Sequence, residues 1–596
     1  MTFSDKESFA IQLIEQRRLQ EAEKVYKELI ELGLKTDVVY SNLAAVLGMQ
    51  GLHDEAAFFL EKSLGVNPVN SDAYNNLGII WQNKGNLESA IYSYKKSLEI
   101  RPYNPEVHNN LGTALKEMGD YAQAISCYEK ALSINNEYTD AYYNLGVLLM
   151  GQERLEAAIV CYKKTISLKN DHLKAHNNLG LIFKKLDRLE DAIMCYRNAL
   201  AVDANCSEVH NNLGVIFQEL GNFGKAIACY RKAIDIDPMY AEAYCNIGGA
   251  YFGQGDFWDG ISCLEKAIEC KSHYPEAQYN ISLVHLHCGN YEEGWNLYEY
   301  RLQCNDDGHG SLIAKPVSKI WSNDDIDQAQ KLLLVGEQGL GDILHFMRYV
   351  IALKNKNISI SLCAPVKLHG LIKASGIDDS PLSPQQAELV LDEQWLPLHS
   401  VPRYLKVRPD NPIITEPYIK TKNELLAKWK RVFSFEKRPI VGINWQGNPV
   451  TEKNQLKGRS LPLEAFSPVI SQVNVSLLSL QKGFGSEQLQ SCTFRECFVK
   501  CQDKISEVWD FLETAAIVAN CDLVITSDTA VAHLAAGMGK KTWLLLHKVP
   551  DWRWGFAGEE SFWYPSMRLF RQQESGNWDE VIHRVAIALR VEFHLL

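Results

Sequence analysis

Cys521–Gly539, CDLVITSDTAVAHLAAGMG, fixes the reading of the C-terminal half. Leu523–Ile525 is a short apolar, β-leaning run and reads as a buried parallel strand. Ser527, Asp528 and Thr529 follow, all good helix starters. Ala530–Met538 is Ala-rich and helical, and Gly539 is the stop. A strand that turns straight into a helix leaves backbone N–H groups free at the helix start. With the helix dipole they form a place for a phosphate. An ordinary capped βα turn has the same local pattern, so the rest of the chain must decide.

The strands and helices around this stretch repeat the same alternation. Lys331–Val335 reads as a strand, GEQGLGD as a turn, and Ile343–Lys354 as a helix. Gly336, Gly339 and Gly341 let that turn tighten and approach a ligand. Ile358–Ala364 and Leu389–Leu391 read as further strands, Lys367–Ala374 as a helix, and LPLHSVPRYL as a loop. A second set starts near Arg438, with strands at Pro439–Asn444, Val475–Leu480 and Thr542–Leu546. Its helices are Leu463–Ser471, Trp509–Ala519 and Asn577–Val591. WQGNPVTEKNQLKGR and QKGFGSEQ are loops, and HKVPDWRWGFAGEESFWYPSMRLFRQ is an aromatic-rich irregular segment expected to lie over a cleft. Two Rossmann-like lobes with glycine-rich and phosphate-type turns imply a ligand cleft.

The N-terminal half is periodic. Leu77, Leu111, Leu145, Leu179 and Leu213 are 34 residues apart, with Leu43 before them and Ile247 and Ile281 after them in phase. Ala22, Ala56, Ala90, Ala124, Ala158, Ala192 and Ala226, then Gly260 and Gly294, form a second series. Small residues there let two antiparallel helices pack closely. Tyr94, Tyr128, Tyr162, Tyr196 and Tyr230 form a third, and Pro68, Pro102 and Pro238 fall where a unit ends. This 34-residue helix–turn–helix unit resembles the tetratricopeptide repeat (TPR), in about nine copies, the first degenerate. Such arrays stack into a superhelix with a groove that suits an extended polypeptide.

Asn42, Asn76, Asn110, Asn144, Asn178, Asn212, Asn246 and Asn280 fill one slot in eight successive units. Asn costs roughly 0.6 kcal/mol in a helix against Ala, so a repeated Asn asks for a reason. Its amide both donates and accepts, and a row of amides can pair with the backbone of any extended peptide. The row resembles the asparagine ladder of the protein O-GlcNAc transferases, which implies an acceptor polypeptide as partner. The other reading is that each Asn bonds the neighbouring unit and stiffens the array. Cys127, Cys161, Cys195, Cys229 and Cys263 also recur every 34 residues, each on a different unit, and read as small core residues. Cys492, Cys497 and Cys501 lie close together without a nearby fourth ligand.

The fold expected is multidomain: an all-α TPR superhelical solenoid over 1–307, a linker over 308–330, and Rossmann-like lobes over 331–436 and 437–596. With 596 residues the chain is too long for one domain. A formal charge of −12, from 61 basic and 73 acidic residues, argues against a general nucleic-acid binder. No apolar run approaches the ~20 residues of a membrane span, no basic-then-apolar leader opens the sequence, and the fifteen cysteines read as reduced thiols, so a cytoplasmic location is expected.

Residues 331–590 resemble the GT-B glycosyltransferases of the lipopolysaccharide heptosyltransferase-like family. GLGDILHFMRY is similar to that family's N-lobe Gly-Asp motif, and SDTAVAHLAAGMGKKTWLLL to its C-lobe Asp-Thr-Gly…His motif, with Ala530 in place of the usual Gly. A repeat array ahead of such a domain is similar to the layout of bacterial flagellin and other protein glycosyltransferases. The resemblance implies a metal-independent, inverting enzyme that moves a sugar from a nucleotide sugar to a hydroxyl, with no other cofactor. It implies Asp342 as general base. Asp342 as a helix cap is the structural alternative, and His345, one turn on, is the competing base. The donor site it implies comprises Gly339, Gly341, the N–H groups of Thr529 and Ala530, and Asp528 and His533. Lys457 and Arg459 stand where the family has a phosphate-binding Lys, with Gln481 and Glu487 toward the ribose. Asp551, Trp552, Arg553 and Trp554 shape the sugar or acceptor side, or simply pack. The acceptor-binding set is Asn76, Asn110, Asn144, Asn178, Asn212, Asn246 and Asn280. A glycosyltransferase acting on a lipid or polysaccharide, and a scaffold without catalysis, are the alternatives.

Overall fold

The computed structural model describes residues 2–304, 311–337, 339–414, 416–449, 452, 458–472 and 474–594. It divides into two compact units, Met1–Ile216 and Phe217–Leu596.

The first unit is a run of helix pairs from Phe3–Glu15 onward. The Ala series is fully buried from Ala22 to Ala192, as are Tyr94, Tyr128, Tyr162 and Tyr196. The glycine of each Asn-Leu-Gly serves the tyrosine. A Cβ on Gly78, Gly112, Gly146 or Gly180 would lie 2.5–2.9 Å from a ring carbon of Tyr94, Tyr128, Tyr162 or Tyr196. So the motif encodes one helix's notch for the next helix's ring. Caps set the turns: Asn70 Oδ1 accepts from Ala73 N at 2.9 Å, and Asn104 Oδ1 from Glu106 N at 3.0 Å, with Pro105 at the first helical position.

The second unit begins with the last helix pairs, ending in Pro275–His287, Tyr291–Tyr298 and the 3-10 turn Glu299–Gln303. Two parallel sheets follow. The first has order β2-β1-β3, with β1 Lys331–Val335, β2 Ser359–Cys363 and β3 Gln394–Pro397. The second has order β5-β4-β6-β7-β8, with β4 Ile440–Asn444, β5 Ser476–Ser479, β6 Leu523–Ser527, β7 Thr542–Leu546 and β8 Met567–Arg571. In it Val441 pairs with Leu523 and Val524 with Thr542. β4, β6 and β7 are buried at every residue, as both faces of a parallel sheet should be. One core runs from Tyr291, Trp295 and Tyr298 of the last repeat through Leu332 and Leu334 to Val524 and Leu544.

Four expectations are corrected. Leu389–Leu391 is not a strand: Leu389 and Leu391 are 78% and 77% exposed, and the strand is Gln394–Pro397. LPLHSVPRYL is not a loop but a strand end, a 3-10 turn over Leu398–Ser400 and a helix over Val401–Leu405. The aromatic segment after β7 ends in a fifth strand, β8, where Met567, Leu569 and Phe570 are buried. The described part of the expected linker, 311–330, is stitched to the first sheet: Ile313 N donates to Gly336 O at 3.1 Å and Trp321 N to Trp395 O at 2.7 Å.

Candidate functional site

In the second sheet the chain passes from β4 to β5 on one side and returns to β6 on the other. The carboxyl ends of β4 and β6 therefore flank a switch point, where open α/β sheets bind ligands. Asn444 ends β4 there. Its Oδ1 accepts from Thr526 Oγ1 at 3.2 Å and Thr529 Oγ1 at 2.9 Å, and its Nδ2 donates to Gln481 Oε1 at 2.9 Å. Thr529 is the N-cap of the helix Ala530–Gly537 but makes no side-chain cap bond. Ala532 N donates to Thr529 O at 3.0 Å, while the N–H groups of Ala530 and Val531 open the helix, where no preceding turn supplies an acceptor.

Arg459 reaches this point from the loop after β4. It is 9% exposed, and its Nη1 donates to Asp528 O at 3.1 Å while its Nε has no hydrogen-bond partner. Gly447 makes room for it, since a Cβ there would sit 2.5 Å from Arg459 Nε. Asp528 is buried, and its Oδ2 accepts from Trp554 Nε1 at 2.9 Å. Burial, with Asp551 nearby, pushes the Asp528 carboxyl up to about 6.

The turn after β1 meets the same point. A Cβ on Gly341 would lie 3.4 Å from Ala530 Cα and 3.1 Å from His533 Cδ2. Gly339 has φ +108°, and a Cβ there would collide with Asp342 Oδ2. Asp342 Oδ1 pairs with Arg553 Nη2 at 2.6 Å, and Arg553 Nη1 with Asp551 Oδ1 at 2.8 Å. The Asp342 side chain is one-third exposed.

Behind this surface lies a buried polar layer. Tyr564 Oη is 3.0 Å from His345 Nδ1 and 2.9 Å from His533 Nδ1. Arg348 donates to the backbone oxygens of His345 and Trp563 at 2.9 and 2.7 Å and to Tyr418 Oη at 3.2 Å. Burial, then the neighbouring Arg348, holds His345 well below the ordinary imidazole range; burial, then Arg553, does so for His533. His345 has no exposed surface. It shares the short helix Leu340–Phe346 with Asp342.

The geometry thus brings Gly339, Gly341, Asp342, Arg459, Asp528, Thr529, Ala530 and His533 to one place. Gln481 is adjacent but occupied: Oε1 accepts from Asn444, Trp445 N and Gln446 N, and Nε2 donates to Gln446 O and Phe484 O. It ties the loop after β4 to the loop after β5. Glu487 is exposed and precedes the short helix Gln488–Ser491. Lys457 lies outside the described residues. Sequence reading missed Asn444, Tyr564 and Arg348. A polar residue ending the apolar strand RPIVGIN was a usable signal for Asn444, and Arg348 lies within GLGDILHFMRY; nothing local marks Tyr564.

The asparagine row makes bonds within the array. In a stride of 35 residues, Asn110 Nδ2 donates to Asn75 Oδ1 at 3.2 Å, Asn144 to Asn109 at 3.0 Å and Asn212 to Asn177 at 3.0 Å. Asn178 Nδ2 donates to Tyr162 Oη at 3.2 Å. Asn280 Nδ2 makes the same stride to Cys245 Sγ at 3.6 Å. The donor half of these amides bonds the preceding unit, while Asn76, Asn246 and the others stay half-buried. Among the described residues no cluster of three or more His, Cys, Asp or Glu is arranged to hold a metal, and no helix is long and apolar enough to cross a membrane.

Family models described as tetratricopeptide repeat match residues 105–138, 139–172, 173–206 and 241–273, and one described as TPR repeat matches 83–119 and 216–255. Protein FlbA of Caulobacter vibrioides is 29% identical over 177 residues, 28% of this chain and 27% of that protein. The match therefore spans about a quarter of that curated relative. Similar solved structures include YrrB, a TPR protein with an unusual peptide-binding site, at 21% identity and TM-score 0.29, covering 32% of this chain and 98% of that one. Another is Pseudomonas aeruginosa pilF, at 19% identity and TM-score 0.32, covering 35% and 94%. The N-terminal part of this chain carries a TPR protein-interaction module, and its C-terminal region is built of parallel-sheet α/β elements.

Proposed function

We propose that the C-terminal region is a GT-B glycosyltransferase that moves a sugar from a nucleotide sugar to a hydroxyl, foremost a Ser or Thr of a polypeptide held by the repeats. The observation that carries this reading is the meeting of two strand-to-helix turns at a switch point, Gly341 against Ala530, with a carboxylate on one side and a buried guanidinium on the other. In the reaction the acceptor oxygen attacks the anomeric carbon and gives its proton to Asp342. The bond from that carbon to the donor's phosphate oxygen breaks, and the nucleotide leaves with the electron pair. The Thr529 and Ala530 N–H groups and Arg459 hold its charge. Asp528 bonds a sugar hydroxyl. A single displacement inverts the anomeric centre.

The test is thermal unfolding of the full chain against UDP, GDP, ADP and CMP and their sugars, with Arg459→Gln alongside. One nucleotide at about a hundred times its dissociation constant should stabilise the protein by ~2.7 kcal/mol, and Arg459→Gln should lose the effect. If no nucleotide shifts the transition, the enzyme reading falls and a scaffold remains.

A further inference from the structure

Glu337 stands two residues beyond β1 and five before Asp342, and it is 2% exposed. A carboxylate buried in a glycine-rich turn needs a partner. Arg301, in the 3-10 turn that closes the last repeat, supplies it with a bidentate fork: Nε to Oε2 at 2.9 Å and Nη2 to Oε1 at 2.7 Å. Nη2 also donates to Ser400 Oγ at 3.0 Å, and Nη1 to Tyr298 O and Glu299 Oε1, both at 3.1 Å. Ser400 Oγ donates on to Glu299 Oε2 at 2.9 Å, and His399 Nδ1 lies 3.3 Å from Glu337 Oε2. Every N–H of the guanidinium is engaged, and Arg301 is 1% exposed. The guanidinium also lies over the Tyr298 ring, 4.5 Å from its centroid, and Tyr298 meets the Trp552 ring at 6.1 Å, next to Arg553.

We propose that Arg301, a residue of the repeat array, is a positioning residue for transfer: its fork on Glu337 fixes the turn from which Asp342 projects. The last repeat is then a working part of the transfer site as well as the end of the docking array. The role of Asp342 rests on the reading under Proposed function; the hold on the turn does not.

The test uses the full chain with Arg301→Lys, which keeps the charge and loses the fork, Arg301→Met, and Asp342→Asn as reference. Amide exchange is followed over 339–343 and over 530–534, and kcat and KM are measured with a panel of UDP-, GDP-, ADP- and CMP-sugars as donor probes. Arg301→Lys should speed exchange over 339–343 about tenfold, leave 530–534 near wild type, and lower the unfolding temperature, since Lys leaves buried acceptors of the fork unsatisfied. It should lower kcat about tenfold with the donor KM within about twofold. Unchanged exchange over 339–343 in Arg301→Lys overturns the proposal, as does a rise spread evenly over both segments. If Arg301→Met fails to fold, Arg301→Lys decides. If Asp342→Asn leaves transfer intact, the reading of Asp342 fails, and the exchange result still decides whether Arg301 holds the turn.

Discussion

Arg553 Nη2 lies 2.6 Å from Asp342 Oδ1, joining residues 211 apart in sequence. The guanidinium is nearly buried and also holds Asp551, so it is the knot of a three-member charge network. Arg553→Met leaves two carboxylates facing an apolar stem. The expected loss is about 2–4 kcal/mol, below that of a fully buried pair because Asp342 is one-third exposed. Asp342→Asn keeps a hydrogen bond to Arg553 and should cost the fold about 1 kcal/mol or less while lowering transfer roughly 10²- to 10⁴-fold. Urea unfolding of both variants beside a transfer assay separates the two roles. An Asp342→Asn protein as active as wild type would rule this carboxylate out as the base.

Asp528 gives a pH signature. Its carboxyl is raised in the fold from an ordinary 3.8 to about 6 by burial and by Asp551. A raised carboxyl supports the fold when protonated, so its contribution is fully present below about 4 and is lost as pH climbs through about 6. Asp528→Asn removes the buried charge and can still accept from Trp554. The variant should be more stable than wild type by on the order of 1–3 kcal/mol at pH 8, with the difference closing by pH 4. Calorimetric scans at pH 4, 6 and 8 check this. A difference independent of pH would mean that the fold does not raise the Asp528 carboxyl above its unfolded value.

The repeat half was legible because its signal is redundant. Leu, Ala, Tyr and Asn series agree on one 34-residue phase, and each maps to a packing role. β1 and β7 were legible to the residue because they are uniform apolar runs. Leu389–Leu391 misled because apolar residues that remain exposed look the same in sequence as buried ones. β8 was hidden because Arg568 and Arg571 alternate with its buried residues inside an aromatic segment. The site was legible where a motif is local, as in GLGD and SDTA. It was not legible where distant residues meet, as with Arg553 on Asp342 or Tyr564 on both histidines.

Gly180 tests what the repeat motif means. In an exposed helix, Gly to Ala stabilises by about 1 kcal/mol. Here a Cβ would lie 2.6 Å from Tyr196 Cε1, and the ring is fully buried. Gly180→Ala should therefore destabilise, by about 1–3 kcal/mol. Denaturant melts of Gly180→Ala and of Gly151→Ala, where nothing lies within 4 Å, give opposite signs if the notch is real.

The asparagine row separates two readings that the sequence left open. If each amide mainly ties its unit to the one before, removing it breaks one inter-unit bond and should cost about 1 kcal/mol. Asn144→Ala also strands Asn109 Oδ1, and Asn212→Ala strands Asn177 Oδ1. Replacing Asn110, Asn144, Asn178 and Asn212 together should then lower the unfolding midpoint by the sum of four such steps, since the bonds lie in successive units. An extended polypeptide bound elsewhere on the array would keep its affinity, measured under conditions where the variant stays folded. If the quadruple variant instead melts like wild type and loses a polypeptide that wild type binds, the amides face the ligand. The stride of 35 residues favours the first outcome, because the donors of Asn110, Asn144 and Asn212 already point along the array at the preceding unit.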